Sequence, residues 1–296
     1  MTGLSSRPLH RIADAVIYLV LAVLALVCLA PFMNTLAMSF SASSAIDARE
    51  VVFIPKGFHL YAYQYSLGKP EFLRSIGISI ERILLGVPLS MLLSVLAAYP
   101  LSRERGVFRG RTVYAWIFVF TILFSGGLIP SYMLVYKTGL IDTIGALIIP
   151  GAVPVFNIVL LLNFFRGIPK EIGEAAFIDG AGHWKSLFAI YIPLSAAVLA
   201  TTALFSFVGH WNSWFDGIIY MNSDRNYPLQ SYLQTLVLKT DLASVAFNST
   251  VQGYELLSNK NIKAAQVIVG AVPVLIIYPF LQRYFSKGIV LGSVKD

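Results

Sequence analysis

Six long apolar runs dominate this chain, over about residues 12–40, 72–100, 112–136, 143–165, 190–220 and 264–285. Each can supply the roughly 20 helical residues that cross a bilayer core. In hydrocarbon every backbone N–H and C=O needs a partner within the protein, so such runs fold as helices. None shows the strict apolar–polar alternation of outer-membrane strands. The pattern predicts an all-α integral membrane protein with six transmembrane helices, forming a single transmembrane domain over 1–296. Composition agrees. Only 12% of the residues are charged and 57% are hydrophobic, whereas soluble domains carry about 25% charged residues.

The first run follows Arg7, His10 and Arg11, as a signal peptide would. It exceeds the roughly 7–15 residues of a signal core and lacks a small-residue cleavage site, so it is read as a retained span. Prolines punctuate several runs: Pro88, Pro130, Pro150, Pro154, Pro273 and Pro279. Pro150 and Pro154 flank Gly151, and the fourth span is therefore expected to be bent or broken.

Lys and Arg orient the spans. With the N-terminus inside, segments 1–11, 101–111, 166–189 and 283–296 hold twelve basic residues in 60 positions; the outer segments hold nine in 83. The clearest signal is Arg103, Arg105, Arg109 and Arg111 on one short loop. Both termini are then expected in the cytoplasm. The net charge of +7 follows this bias and implies no nucleic-acid partner. Cys28 lies alone in an apolar run without the small residues of an acylation site. No G-x-x-x-x-G-K-[ST] phosphate loop occurs, and no catalytic or metal-ligating constellation stands out in the text.

Residues 166–189 contain the most polar passage between two apolar blocks, Glu174-Ala-Ala-Phe-Ile-Asp-Gly-Ala-Gly-His-Trp-Lys185. Pro169 suits a first helical position. Glu171 and Glu174 suit the positive end of a helix dipole, and Gly180 suits a left-handed stop. The spacing predicts a helix over about 169–180. A helix this short is marginal alone in water and must dock. A membrane-surface helix carries Lys and Arg on its polar face; this one carries Glu171, Glu174 and Asp179, which favours a basic protein partner over anionic lipid.

These residues carry a resemblance. Glu174-Ala175-Ala176, Gly180, Ile190 and Pro193 resemble the EAA signature of permease subunits in ABC importers. Asp179-Gly180-Ala181, Trp184, Phe188 and Ile190-Tyr-Ile-Pro-Leu194 are similar to the maltose-type sugar-importing branch. The ending Gln282 to Lys295 resembles that of its smaller permease, with a cytoplasmic C-terminal tail. Ile192 departs from the usual Leu. The likeness runs from about residue 12 to the end and extends to importers of the oligosaccharide and alginate kind. It implies a type I importer permease fold in a bacterial inner (cytoplasmic) membrane, forming half of the path for a sugar. It implies as partners a homologous second permease, a dimeric cytoplasmic ATPase that holds ATP and Mg, and an extracytoplasmic solute-binding protein, all set in membrane lipid. By the same resemblance Glu174, Ala175, Ala176, Asp179, Gly180 and Ala181 form a coupling helix seated in an ATPase cleft.

Polar groups inside spans are costly and face bundle interiors. His210, Trp211 and Asn212 on the fifth span and Asn157 on the fourth are the candidate translocation-path residues. Of the outer segments 41–71 and 221–263, the second holds Asn226 and Tyr227, the candidate contacts for the binding protein. A self-sufficient secondary transporter is the alternative from another class, but no paired inverted repeat is found. The EAA element is also shared by permeases for non-sugar solutes.

Overall fold

The computed structural model describes residues 8–104, 106–240 and 259–292. Arg105, residues 241–258 of the second outer segment, and the extreme ends lie outside the described residues. All regular structure among the described residues is helical. In chain order the helices are α1 (Pro8–Ser39), α2 (Ser43–Asp47), α3 (Tyr61–Leu67), α4 (Pro70–Ser102) and α5 (Arg111–Leu123). There follow α6 (Leu128–Lys137), α7 (Ile144–Ile148), α8 (Val155–Gly167), α9 (Lys170–Ile178) and α10 (His183–Ser186). The chain continues through α11 (Ile192–Leu194), α12 (Ala196–Asn212), α13 (Phe215–Tyr220), α14 (Leu229–Thr240) and α15 (Asn259–Gly292).

Three helices are long and apolar enough to cross a membrane, and six spans result if each bent helix pair counts as one. The bends differ from expectation. The fourth span does break, by 45° between α7 and α8, but the third bends by 115° between α5 and α6. Its break is Ser125-Gly126-Gly127, where Gly127 takes φ +87°, a conformation open to glycine. Pro130 sits harmlessly in the first turn of α6, where its missing N–H is an orphan in any case. The run 190–220 is likewise not one rod. The segment His183–Leu194 meets α12 at 84°, and the chain breaks again at Ser213–Trp214 before α13.

The chain divides into two compact units, Met1–Lys69 with Leu236–Gly270, and Pro70–Thr235 with Ala271–Asp296. In the first, the segment after α1 folds back on the end of that helix. His59 N donates to Phe40 O at 3.0 Å, Ser39 Oγ and Tyr63 Oη are 2.8 Å apart, and Phe40 stacks on Phe58. Lys260 at the start of α15 pairs with Asp47 at 2.8 Å, and Asn261 Nδ2 donates to Ser41 O. The segment after α1 is thus folded as a cap on the end of that helix.

In the second unit, α4 packs against α8 and α12. One stripe of α4 explains the close fit: Ser75, Ser79, Gly86, Ser90, Ser94 and Ala98 are buried at helical spacing. Without a hydrophobic drive between helices in lipid, small residues let backbones approach. Gly86 shows how tight the contact is, since a Cβ there would lie 2.7 Å from His210 Nε2 on α12. Asn157 on α8 donates across to Thr202 O at 3.2 Å and Ser206 Oγ at 3.0 Å on α12.

Pro228 and Ser231 pack on α13 just as closely. A Cβ on Gly217 would lie 2.1 Å from Ser231 Oγ and 2.8 Å from Pro228 Cδ, and a proline ring cannot rotate away. Gly217→Ala is therefore expected to destabilise the solubilised chain by at least about 1–3 kcal/mol, the usual range for overpacking. The thermal midpoint in detergent reads this, and an unchanged midpoint would mean that Pro228–Ser231 packs elsewhere.

Candidate functional site

Two polar regions lie far apart along α4. Arg82 and Arg103 are separated by 21 residues, which is about 31 Å of helix, close to the thickness of a bilayer core.

Around Arg82 lies a cavity of about 420 Å³, whose polar wall includes Ser90, Asn157, Ser206, His210 and Asp216. Arg82 is buried, with 3% of its surface exposed. Its Nη2 pairs with Asp216 Oδ2, and its Nη1 donates to Asp216 Oδ1 at 3.2 Å and to Ser213 O at 3.4 Å. Nε donates to His210 Nδ1 at 3.4 Å. An arginine donates only, so this contact fixes Nδ1 as the acceptor. Asp216 in turn accepts from Ser213 Oγ and its neighbour Gly217 N, both at 2.9 Å. The bidentate pair ties α4 to α13 across the Ser213–Trp214 break.

Of the candidate path residues, His210 and Asn157 line this cavity. Trp211 is buried instead, stacked parallel on Phe207 at 6.4 Å, and Asn212 is exposed away from it. Arg82 is the residue that sequence reasoning passed over. Its one signal was a cation inside an apolar run, normally a mark of function, but its partner lies 134 residues away.

Asn226 and Tyr227 do not form a free loop tip. Asn226 Nδ2 donates to Asp142 Oδ1 at 2.9 Å, and Asn222 N reaches the same oxygen at 3.1 Å. Asp142 holds φ +61°. Tyr227 packs on the cluster of Val135, Ala146, Leu147, Tyr220 and Met221. The outward side chains of this turn are Asp224 and Arg225.

At the other end of α4, α9 lies against Arg103. That guanidinium sits between the rings of Tyr99 and Tyr191, 4.3 Å from each centroid. Gly173 is buried there, and a Cβ on it would lie 3.1 Å from Tyr191 Oη and 3.2 Å from Arg103 Nη1. Pro169 caps α9 with ψ 134° rather than opening its first turn. The helix ends in a Schellman turn: Ala181 N donates to Ala176 O at 2.8 Å, Gly180 N donates to Phe177 O at 3.0 Å, and Gly180 takes φ +77°.

The two alanines part company. Ala176 and Ala181 are buried against the chain, while Ala175 faces out with Glu174 and Asp179. Ile172 and Phe177 are well exposed, and Ile178 is 86% exposed. Glu104 and Lys170 join the α4 end to the α9 start. Lys170 holds the Glu104 carboxyl below its usual range, and Glu104 holds the Lys170 ammonium above its own. Both are fully exposed, so the pair positions α9 more than it stabilises it. Among the described residues no group of three His, Cys, Asp or Glu stands together as metal ligands would.

Bent apolar spans with a polar cavity between three of them and a short exposed helix mark a polytopic membrane protein. The family model described as "Binding-protein-dependent transport system inner membrane component" matches residues 86–291, and the chain belongs to that family. Protein LplC of Bacillus subtilis (strain 168) is 37% identical over 285 residues, covering 96% of this chain and 95% of LplC. The "Polygalacturonan/rhamnogalacturonan transport system permease protein YtcP" of the same organism is 37% identical, covering 97% and 99%. Among solved structures, a bacterial ABC transporter involved in the import of the acidic polysaccharide alginate has a chain that matches with TM-score 0.83. That chain is 30% identical, with 96% of this chain and 99% of that one covered.

Proposed function

We propose that this chain is one of two permease subunits of an ATP-driven sugar importer, with an oligosaccharide as cargo, and that α9 is its mechanical link to an ATPase. The exposure of Ile172, Phe177 and Ile178 on a helix of nine residues carries this reading. Such a helix is not stable by itself. Its fully buried residues are only the small Gly173 and Ala176, and Ile172 and Ile178 stay exposed for a partner. The outward Glu174 and Asp179 suit a basic cleft.

Membership of the inner-membrane family and the sugar-polymer transport named for YtcP and the alginate transporter support the saccharide assignment. Basic loops support a cytoplasmic position for α9 and for both termini in a bacterial inner membrane. The cavity beside Asn157 and His210 then opens in the outer half of the membrane, where cargo from a solute-binding protein enters. ATP and Mg stay on the ATPase dimer.

Purification from native membranes in mild detergent, with mass spectrometry of the copurifying chains, tests this. A second permease and an ATPase with a phosphate loop are expected. A chain that comes out alone, from membranes where neighbouring complexes survive, would contradict the reading.

A further inference from the structure

We infer that two adjoining cavities at the root of α9 form a binding site for one anionic phospholipid. The first, of about 520 Å³, has Arg103, Arg111, Arg166 and Lys170 in its wall, against the acids Glu104 and Glu174. Cations outnumber acids by two, and Lys170 already neutralises Glu104. Arg111 Nη1 donates to Arg103 O at 2.7 Å and Arg166 Nη2 to Leu101 O at 3.3 Å, which fixes both guanidinia at the rim.

Arg103 supplies the second observation. Its Nε and Nη2 are buried with no hydrogen-bond partner in the chain. Buried donors are almost always satisfied; the faces of Tyr99 and Tyr191 offset the charge of this guanidinium but leave its Nε and Nη2 without an acceptor. A phosphate oxygen is the acceptor that a guanidinium fork fits best. The third observation is the neighbouring cavity of about 450 Å³, which shares Arg103, Val107 and His183 with the first. Its remaining wall is largely apolar, with Leu96, Pro100, Phe108, Trp184 and Leu187. A cationic chamber joined to an apolar one through a shared arginine matches a headgroup phosphate joined to acyl chains. Basic pockets beside membrane helices bind anionic headgroups in this way. Because Arg103 also touches the site of Gly173, an occupied pocket would brace α9 from beneath.

Native mass spectrometry of the full-length chain in mild detergent, titrated with phosphatidylglycerol, tests this. Each removed arginine should cost about 1 kcal/mol of headgroup attraction, so Arg111→Ala with Arg166→Ala should weaken binding of the first lipid about 30-fold. Arg111→Lys with Arg166→Lys keeps the charge and should retain most of the binding, which separates lost charge from lost folding. Phosphatidylcholine should bind neither form tightly. Equal phosphatidylglycerol binding by the wild type and the alanine pair would overturn the proposal. So would equally tight phosphatidylcholine, or displacement of the lipid by excess inorganic phosphate, which would assign the site to a free anion. The readout counts bound lipid and not uptake, so it stands or falls separately from the transport reading.

Discussion

Arg82→Ala lowers the stability of the solubilised chain by about 3–5 kcal/mol, the usual cost of removing one partner of a buried ion pair. The side chains of Arg82 and Asp216 are 4% and 21% exposed, so the carboxylate left behind keeps only its cavity face to water. Ser213 Oγ and Gly217 N still donate to Asp216 and soften the loss without replacing the charge. His210 also loses its Arg82 donor, so the α4–α12 contact at Gly86 loosens as well. Asp216→Ala is expected to cost a similar amount by leaving the arginine unpaired. Replacing both residues with apolar ones of similar volume should recover much of the stability, since a buried pair and a packed apolar core are often close in free energy. Thermal unfolding in detergent measures all three. If Arg82→Ala unfolds at the wild-type temperature, the pair does not join α4 to α13 in the folded protein.

Glu174→Lys and Gly180→Asp each reduce uptake more than tenfold while leaving the amount of chain in the membrane unchanged. Glu174 and Gly180 are exposed, so neither change strikes a packed core. A Cβ on Gly180 would meet open space, although φ +77° is strained for most side chains. Aspartate is among the residues that tolerate this conformation, so the fold should survive and the loss must arise at the docking surface. Juxtaposing like charges across an interface costs several kcal/mol, well beyond the roughly 1.4 kcal/mol of a tenfold change. Radiolabelled sugar uptake alongside quantified membrane expression checks both. Normal uptake in both variants would remove α9 from coupling.

The number of spans and the short acidic helix were legible in the sequence because both rest on local rules. Apolar length reports crossing, and Pro169, Glu171 and Gly180 report the start and stop of a helix. Bends were not legible in the same way. Proline marked the fourth span, but the sharpest turn came from Gly126-Gly127, and glycine announces freedom without saying that it is used. Side-chain direction was also lost. His210, Trp211 and Asn212 are consecutive on one helix and so cannot share a face, and only His210 reaches the cavity. Arg82 was missed because its meaning depends on Asp216, and a pairing across 134 residues leaves no local trace. Nor could the sequence show that Asp142, from another loop, holds Asn226.

The most direct measurement places a photo-crosslinking residue at Ile178, the most exposed large side chain of α9, in cells with the native complex intact. The account predicts one dominant adduct, to a protein whose crosslinked chain carries a G-x-x-x-x-G-K-[ST] phosphate loop. Adducts to lipid alone, with a control position on the same chain still capturing protein, would show that α9 lies on the membrane surface and couples to nothing.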